Sequence, residues 1–471
     1  MAAETSLARS LPRASLSTAR RTLAADVSRR LARLTFGATV VLSPLRAAAV
    51  LFSRPEPPVY SGYTDFVLPA SEIALLATLL LWAVSLAASP RPISFGPGFL
   101  RWPLLGLLAL VWLGVPFSID PPLSAFNAAQ FLILAALAVY ALNEIDSLAA
   151  LAWPLGLMVG LQSIVGLGQL VAQRSLGLQW LGELVLDPAR NGVSVVAASG
   201  TPRLLRAYGL TDHPNILAGL LAFGLLILAL GSGRIRGRRS VAIGLVVVLG
   251  LGALFATFSR ASWIAAASGL IVGLAMLAAA MRRPRVGRRW LAVVAAGAVV
   301  IAVLIVPYGG YIGVRLGFDS AASVTEEMSI GERAILTKAA SSIVLNHPLT
   351  GTGLDTLPLA MAQAEPGLTF DYQPAHIVLL DVAAEAGIMA ALCYLAVLVV
   401  PWLALLRLRG RWTPELAAAS AALAAVTVVG LFDYYTWTFM PGRIWAWLVL
   451  ALWAGAYARS LQGPLRSTDA A

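Results

Sequence analysis

Charge is scarce in this chain. Of its 471 residues 12% are Asp, Glu, Lys or Arg, against 59% that are hydrophobic. A soluble domain carries about 25% charged residues, so an assembly of water-facing domains is excluded, and so is intrinsic disorder. Cysteine is nearly absent. Cys393 stands alone inside an apolar run, which allows no internal disulfide and no cysteine-based zinc site. The three histidines, His213, His347 and His376, have no i,i+3 or i,i+4 spacing that would set two of them on one helix face for a metal. Neither a G-x-x-x-x-G-K-S/T loop nor a dinucleotide-binding G-x-G-x-x-G context occurs, so nucleotide hydrolysis has no support. Lysine is limited to Lys338, and the net charge of +11 is an arginine surplus. Such a surplus implies nucleic-acid binding only in a soluble domain. In an apolar chain it is first a question of topology.

What the chain does have is apolar runs. A hydrocarbon core about 30 Å thick needs roughly 20 apolar residues per helix. Runs of that kind lie at about 34–53, 66–88, 99–117, 125–142, 148–172, 214–231, 241–258, 263–281, 290–306, 384–406, 415–433 and 443–459. The expected fold is therefore all-α and polytopic, with about twelve transmembrane helices. Two connectors are long, 173–213 and 307–375. The organisation expected is a basic lead-in at 1–33, helices one to nine at 34–306 and a large loop at 307–375. Helices ten to twelve follow at 376–459, with a tail at 460–471. The lead-in is rich in arginine and serine and has no apolar core, so it reads as a cytoplasmic segment rather than a secretory signal.

Sorting the basic residues by side gives an orientation. With a cytoplasmic N-terminus, twenty-three fall in inside segments and ten in outside ones, with Arg46 in the first span. Cytoplasmic connectors are the arginine-rich ones, so both termini are expected inside and both long loops outside.

A few charges are not explained by topology. Arg260, in TFSRASW, lies between two apolar runs with almost no polar connector. An arginine held at an outer helix end beside Ser259 and Ser262 suits an anion. In LLRAYGLTDHPNILAG, Asp212 or His213 reads as an N-cap and Pro214 as the first helical residue. Helix N-termini attract anions, so Arg203 and Arg206 beside this end form a candidate phosphate corner. His213 itself is expected to cap rather than to catalyse. In the large loop, Ser329 and Glu332 have capping-box spacing, which predicts an amphipathic helix over about 330–345 that carries Arg333. The turn NHPLTGTGLD stops it, and a second short helix is expected over 354–364. His376 then opens PAHIVLLDVAAEAGIMA, followed by Asp381 and Glu385. A histidine titrates near neutral pH and suits general-base work.

Taken in order, RAYGLTDHPNILAG, FSRASW, ER…HPLTGTG and AHIVLLDVAAEAGIMA resemble the O-antigen ligase and polymerase superfamily of bacterial membrane oligosaccharide transferases, with a GT-C-like layout. Ile377 and Ala390 stand where that pattern has a polar residue and Gly, Thr or Tyr. The resemblance implies a multi-pass protein of the bacterial inner membrane. It implies transfer of a glycan from undecaprenyl-diphosphate to an acceptor hydroxyl on a glycan or on lipid A core, with membrane lipids as surroundings and no nucleic-acid partner. It implies no cofactor and no metal. Carried over, Arg206 and Arg260 would hold the diphosphate and His376 would act as base. Arg203, His213, Arg333, Asp381 and Glu385 are supporting candidates. Two alternatives stay open at this point: a polysaccharide polymerase of the same superfamily, and a transporter of an anion or inorganic carbon. The suspicious residues cluster at the outer edge rather than the bilayer midplane, which favours surface chemistry over transport.

Overall fold

The computed structural model describes residues 13–197, 202–233, 235–280, 288–316, 323–408 and 412–462. Residues 1–12 of the basic lead-in, 281–287 of the arginine-rich connector and 463–471 of the tail lie outside the described residues, as does the side chain of Ser329. Where the chain is described, most of its apolar runs form helices. Inside hydrocarbon every backbone N–H and C=O must be satisfied within the segment, which a helix does by itself.

In chain order the structure has α1 Arg13–Leu42, a hairpin of β1 Ala48–Phe52 and β2 Phe66–Pro69, α2 Ala70–Ala88, α3 Gly98–Gly114, α4 Pro121–Glu144 and α5 Ala152–Ala172. A two-residue pair, β3 Val195–Val196 and β4 Leu204–Leu205, precedes α6 Pro214–Gly231, α7 Arg238–Ala256, α8 Arg260–Ala280 and α9 Arg288–Arg315. Then come α10 Ser323–Asn346, α11 Leu357–Ala364, α12 Val378–Ala386, α13 Ile388–Arg407, α14 Pro414–Gly430, α15 Tyr435–Thr438 and α16 Met440–Gln462. Both strand pairs are antiparallel, with Val50 opposite Val67 and Val195 opposite Leu205.

Among the described residues ten helices are long and apolar enough to span a membrane. The protein is an all-α, multi-pass membrane protein. The two expected spans that fall short are the first and the eleventh. Residues 34–53 do not form one helix: α1 ends at Leu42 and the rest becomes the exposed strand β1. Residues 415–433 form α14, which is 17 residues long. Two more boundaries move. Helix α9 continues past 306 to Arg315, which shortens the large loop. The tenth run is broken at Gly387 into α12 and α13. Helix α10 starts at Ser323, well before the expected capping box, while α11 falls inside the expected second short helix.

Helices α6 and α16 form the centre, each with 78% of its spanning window buried, whereas α9 is 6% buried and lies at the periphery. Small residues allow the closest packing. Gly269 and Gly273 of α8 meet the alanine-rich α14, and a Cβ on Gly269 would lie 2.5 Å from the Ala421 carbonyl. At one end of the bundle Glu144, the last residue of α4, is fully buried. It accepts from Arg29 (2.7 Å), Arg33 (3.3 Å), Arg91 (2.6 Å) and Trp82 (3.0 Å). Three of the arginines counted for topology thus also tie α1 and the α2–α3 connector to α4. The other end holds both strand pairs, α10 to α12 and a large cavity.

Candidate functional site

The cavity has a volume of about 1130 Å³. It is bounded by the β1–β2 hairpin, β3, the starts of α6, α8 and α16, the end of α9, α10 and the turn before α12. Arg203, Arg206, His213, Arg260, Arg333 and His376 all line it. These six candidates come from four separate stretches of sequence, and folding brings them to one space. Asp381 and Glu385 do not line it; both are buried behind the wall.

His213 settles the capping question. Its Nδ1 accepts from the Asn215 N–H at 3.1 Å, so His213 rather than Asp212 caps α6. Burial, with Arg206 adding repulsion, holds its pKa well below the usual imidazole value. Asp212 instead pairs with Arg46, which lies beyond the end of α1 and not within a span. The loop that precedes the cap is bracketed by α5. Gln169 Oε1 accepts from the N–H groups of Tyr208 (3.0 Å) and Gly209 (2.8 Å), and Gln162 Oε1 from that of Leu210 (2.8 Å).

Arg206 is buried, and its guanidinium is fixed on three sides. It donates to the Thr257 carbonyl at the end of α7 (2.6 Å), to Ser194 Oγ (2.7 Å) and to Asn215 Oδ1 (2.7 Å). Asn215 Nδ2 donates in turn to Asp433 (2.8 Å). A planar donor fork held this way is a rigid positive charge. Arg260 differs: it opens α8, is exposed, and reaches across to donate to the Arg315 carbonyl at the end of α9 (3.2 Å).

His376 sits in a left-handed backbone conformation, φ 61°. Its Nδ1 faces the Pro374 carbonyl at 3.1 Å. A carbonyl only accepts, so Nδ1 carries the proton and Nε2 is the basic nitrogen. The ring packs edge-on against Tyr434, with centroids 4.7 Å apart. Burial lowers its pKa to about 4, opposed by Asp433 and reinforced by Arg333. Asp381 supports the turn from behind, accepting from the Ala375 N–H at 2.8 Å. Burial raises the Asp381 carboxyl to about 8. Phe258, Asp355 and His376, three of the four non-glycine residues with positive φ among those described, all face the cavity. Backbone strain of this kind concentrates at functional sites.

The HPLTGTG turn has a structural task. Thr352 and Gly353 N–H groups donate to the Ala384 and Glu385 carbonyls, each at 2.9 Å, and Ile388 N–H donates to the Pro348 carbonyl at 2.9 Å. Gly351 and Gly387 both have positive φ, and a Cβ on either would overlap the other segment's backbone. The turn therefore locks the break between α12 and α13, and with it the His376 segment. Glu385 belongs to this joint; its Oε2 accepts from Trp437 at 2.8 Å.

Sequence reading gave no site role to Asn215, Asp355, Asp433, Tyr434 or Arg443. Arg443 was only a topological charge, yet it is buried under the cavity. It pairs with Asp355 at 2.6 Å and donates to Asn127 (3.1 Å) and Gln130 (3.2 Å). The rule that singled out Arg260, an ionisable residue at the edge of a span, applies equally to Asp433 and Arg443. Among the described residues no three of His, Cys, Asp and Glu gather as a metal-binding group.

Residues 245–395 match the model of a family described as O-Antigen ligase. The matched stretch carries Arg260, Arg315, Arg333 and His376 and the HPLTGTG joint; Arg206, His213 and Asp433 lie outside it. The match supports the superfamily resemblance read from the motifs and, at family level, a membrane glycosyltransferase of the ligase or polymerase type. No curated protein matches the chain.

Proposed function

We propose, with the O-antigen ligase match as premise, that this protein transfers a glycan from undecaprenyl-diphosphate to an acceptor hydroxyl at the outer face of the bacterial inner membrane. Both termini are then cytoplasmic, and the cavity end is the outer one. The observation that carries the reading is convergence: a tautomer-fixed histidine and several arginines share one cavity at the end of an apolar bundle. In this reading His376 Nε2 takes the proton of the acceptor hydroxyl as its oxygen attacks the anomeric carbon. The bond from that carbon to the diphosphate oxygen breaks, and the leaving diphosphate takes the electron pair. Arg260, exposed at the rim, contacts the diphosphate. Arg206, fixed in the cavity wall, adds a preorganised positive charge. The Pro374 carbonyl steadies the Nδ1–H as the ring becomes an imidazolium. Asp433, joined to Arg206 through Asn215, supplies negative charge on the histidine side.

The test is transfer by the purified protein in lipid nanodiscs from a polyprenyl-diphosphate-linked glycan. His376→Ala is expected to lose about 10²- to 10⁴-fold in rate, and Arg260→Ala and Arg206→Ala to abolish measurable transfer, with each variant still inserted in the membrane. Near wild-type transfer by His376→Ala would remove the proposed base. The polymerase alternative is separated in cells. Deletion that leaves single units attached but no long chains identifies a polymerase, and loss of all attachment identifies a ligase.

A further inference from the structure

Arginines line the cavity on the approach to α6, at the start of α8 and at the end of α9, and Arg46 and Arg333 line it elsewhere. One stretch of the wall is aromatic and continuous. Tyr60 and Tyr63 of the hairpin connection meet edge to face at 5.9 Å. Tyr63 stacks on Phe439 at 5.6 Å, Phe439 meets Tyr434 at 5.9 Å, and Tyr434 meets His376 at 4.7 Å. All five side chains line the cavity. The path begins at Tyr60, 53% exposed, and ends at the ring proposed as base. Hydrogen-bonding groups border it: Tyr63 and Tyr434 share a hydroxyl contact of 3.0 Å, and Tyr434 donates to Gln373 Oε1 at 3.0 Å. Asp371 lines the same cavity.

We infer that this wall is a saccharide-binding subsite that guides the acceptor glycan, sugar ring by sugar ring, to His376; the inference rests on the transferase reading above. One face of a pyranose presents polarised C–H bonds, which suit the electron-rich face of an aromatic ring. Its edge presents hydroxyls, which need the amide and carboxylate acceptors that border this wall. An isoprenoid tail has no use for those acceptors. Each ring is held by the next, so contact with a sugar costs little side-chain entropy.

The experiment uses the full chain in nanodiscs with no donor present. The probe is the delipidated oligosaccharide fraction released by mild acid from the cells' own envelope. Saturation-transfer NMR with irradiation of aromatic protons reports contact with sugar ring protons. Transfer is expected in the wild type, at least fivefold weaker in Tyr60→Ala, and retained in Tyr60→Trp. Because Tyr60 is half exposed, its loss leaves the fold intact, and an unchanged melting temperature checks this. In the turnover assay Tyr60→Ala is expected to raise the acceptor KM about tenfold while leaving the donor KM unchanged. No transfer in the wild type, or equal transfer in Tyr60→Ala, overturns the subsite. Saccharide contact that depends on Tyr60 in a protein without transferase turnover leaves the subsite standing and removes the transferase reading instead.

Discussion

Asp381 offers a prediction whose size and sign both come from the structure. It is fully buried; one oxygen accepts from the Ala375 N–H at 2.8 Å, and the other has no hydrogen-bond partner among the described residues. Replacing it with alanine leaves that N–H buried and unpaired, a cost of about 1–3 kcal/mol. It also releases the turn that keeps His376 at φ 61°, a conformation about 1–2 kcal/mol uphill for a side-chain-bearing residue. The turn then relaxes and the base leaves its place. At about 1.4 kcal/mol per tenfold, Asp381→Ala should slow transfer about 10- to 100-fold. Asparagine keeps the accepting oxygen and carries no charge. Burial raises the Asp381 carboxyl to about 8, so at pH 7 the native side chain is neutral too, and Asp381→Asn should transfer at close to the wild-type rate. The sign of the stability effect follows. The folded chain keeps a proton on Asp381 that the unfolded chain releases above about 3.9. That contribution is complete below about 3.9 and is lost as pH rises towards 8, at about 1.4 kcal/mol per unit. Melting of both proteins in nanodiscs across pH 5 to 8 should therefore move the difference in favour of Asp381→Asn as pH rises. If Asp381→Asn is as slow as Asp381→Ala, and the two melting curves run parallel with pH, the side chain acts as an ion and the reasoning fails.

Three further outcomes are expected. Because burial lowers His376 to about 4, the base is already neutral in mildly acidic solution. The profile of kcat/KM should show no acid limb near 6.5, and a limb there would mean a solvated histidine. Gly387→Ala and Gly351→Ala force a side chain into positive φ against facing backbone and should each cost about 2 kcal/mol or more in thermal unfolding, whereas Gly309→Ala, which meets nothing within 4 Å, should be neutral or slightly stabilising. Glu144→Gln leaves Arg29, Arg33 and Arg91 facing a neutral group. Since those arginines stay partly exposed, the loss should be about 1–3 kcal/mol rather than the full penalty of breaking a buried pair, read as a lower melting temperature at unchanged oligomeric state.

The helices were largely legible in the sequence because hydropathy is local: α6 falls on 214–231 as expected, and Pro214 marks its first turn. Boundaries failed where a local rule met a distant partner. Residues 48–52 are apolar enough to extend a span, yet they pair with 66–69 as a strand. The run at 384–406 looks continuous, but the turn at 348–353 takes up the backbone at Gly387 and splits it. Candidate residues were found from charges at span edges, a helix N-terminus, a histidine's proton chemistry and the family motifs. Those signals find Arg206, Arg260 and His376, and they say nothing of which neighbour each one meets.

By itself the sequence determined the solvent this protein lives in and the helical answer to that solvent. Both depend on composition and on spacing within one segment. Only the tertiary structure decided that residues as far apart as Tyr63, Arg206, His376 and Asp433 share one cavity. It also decided which histidine nitrogen is basic, and that Arg206 is clamped while Arg260 reaches out. Those facts depend on contacts between segments far apart along the chain. No periodicity encodes them, because they arise from how α6, α8, α12 and α16 pack.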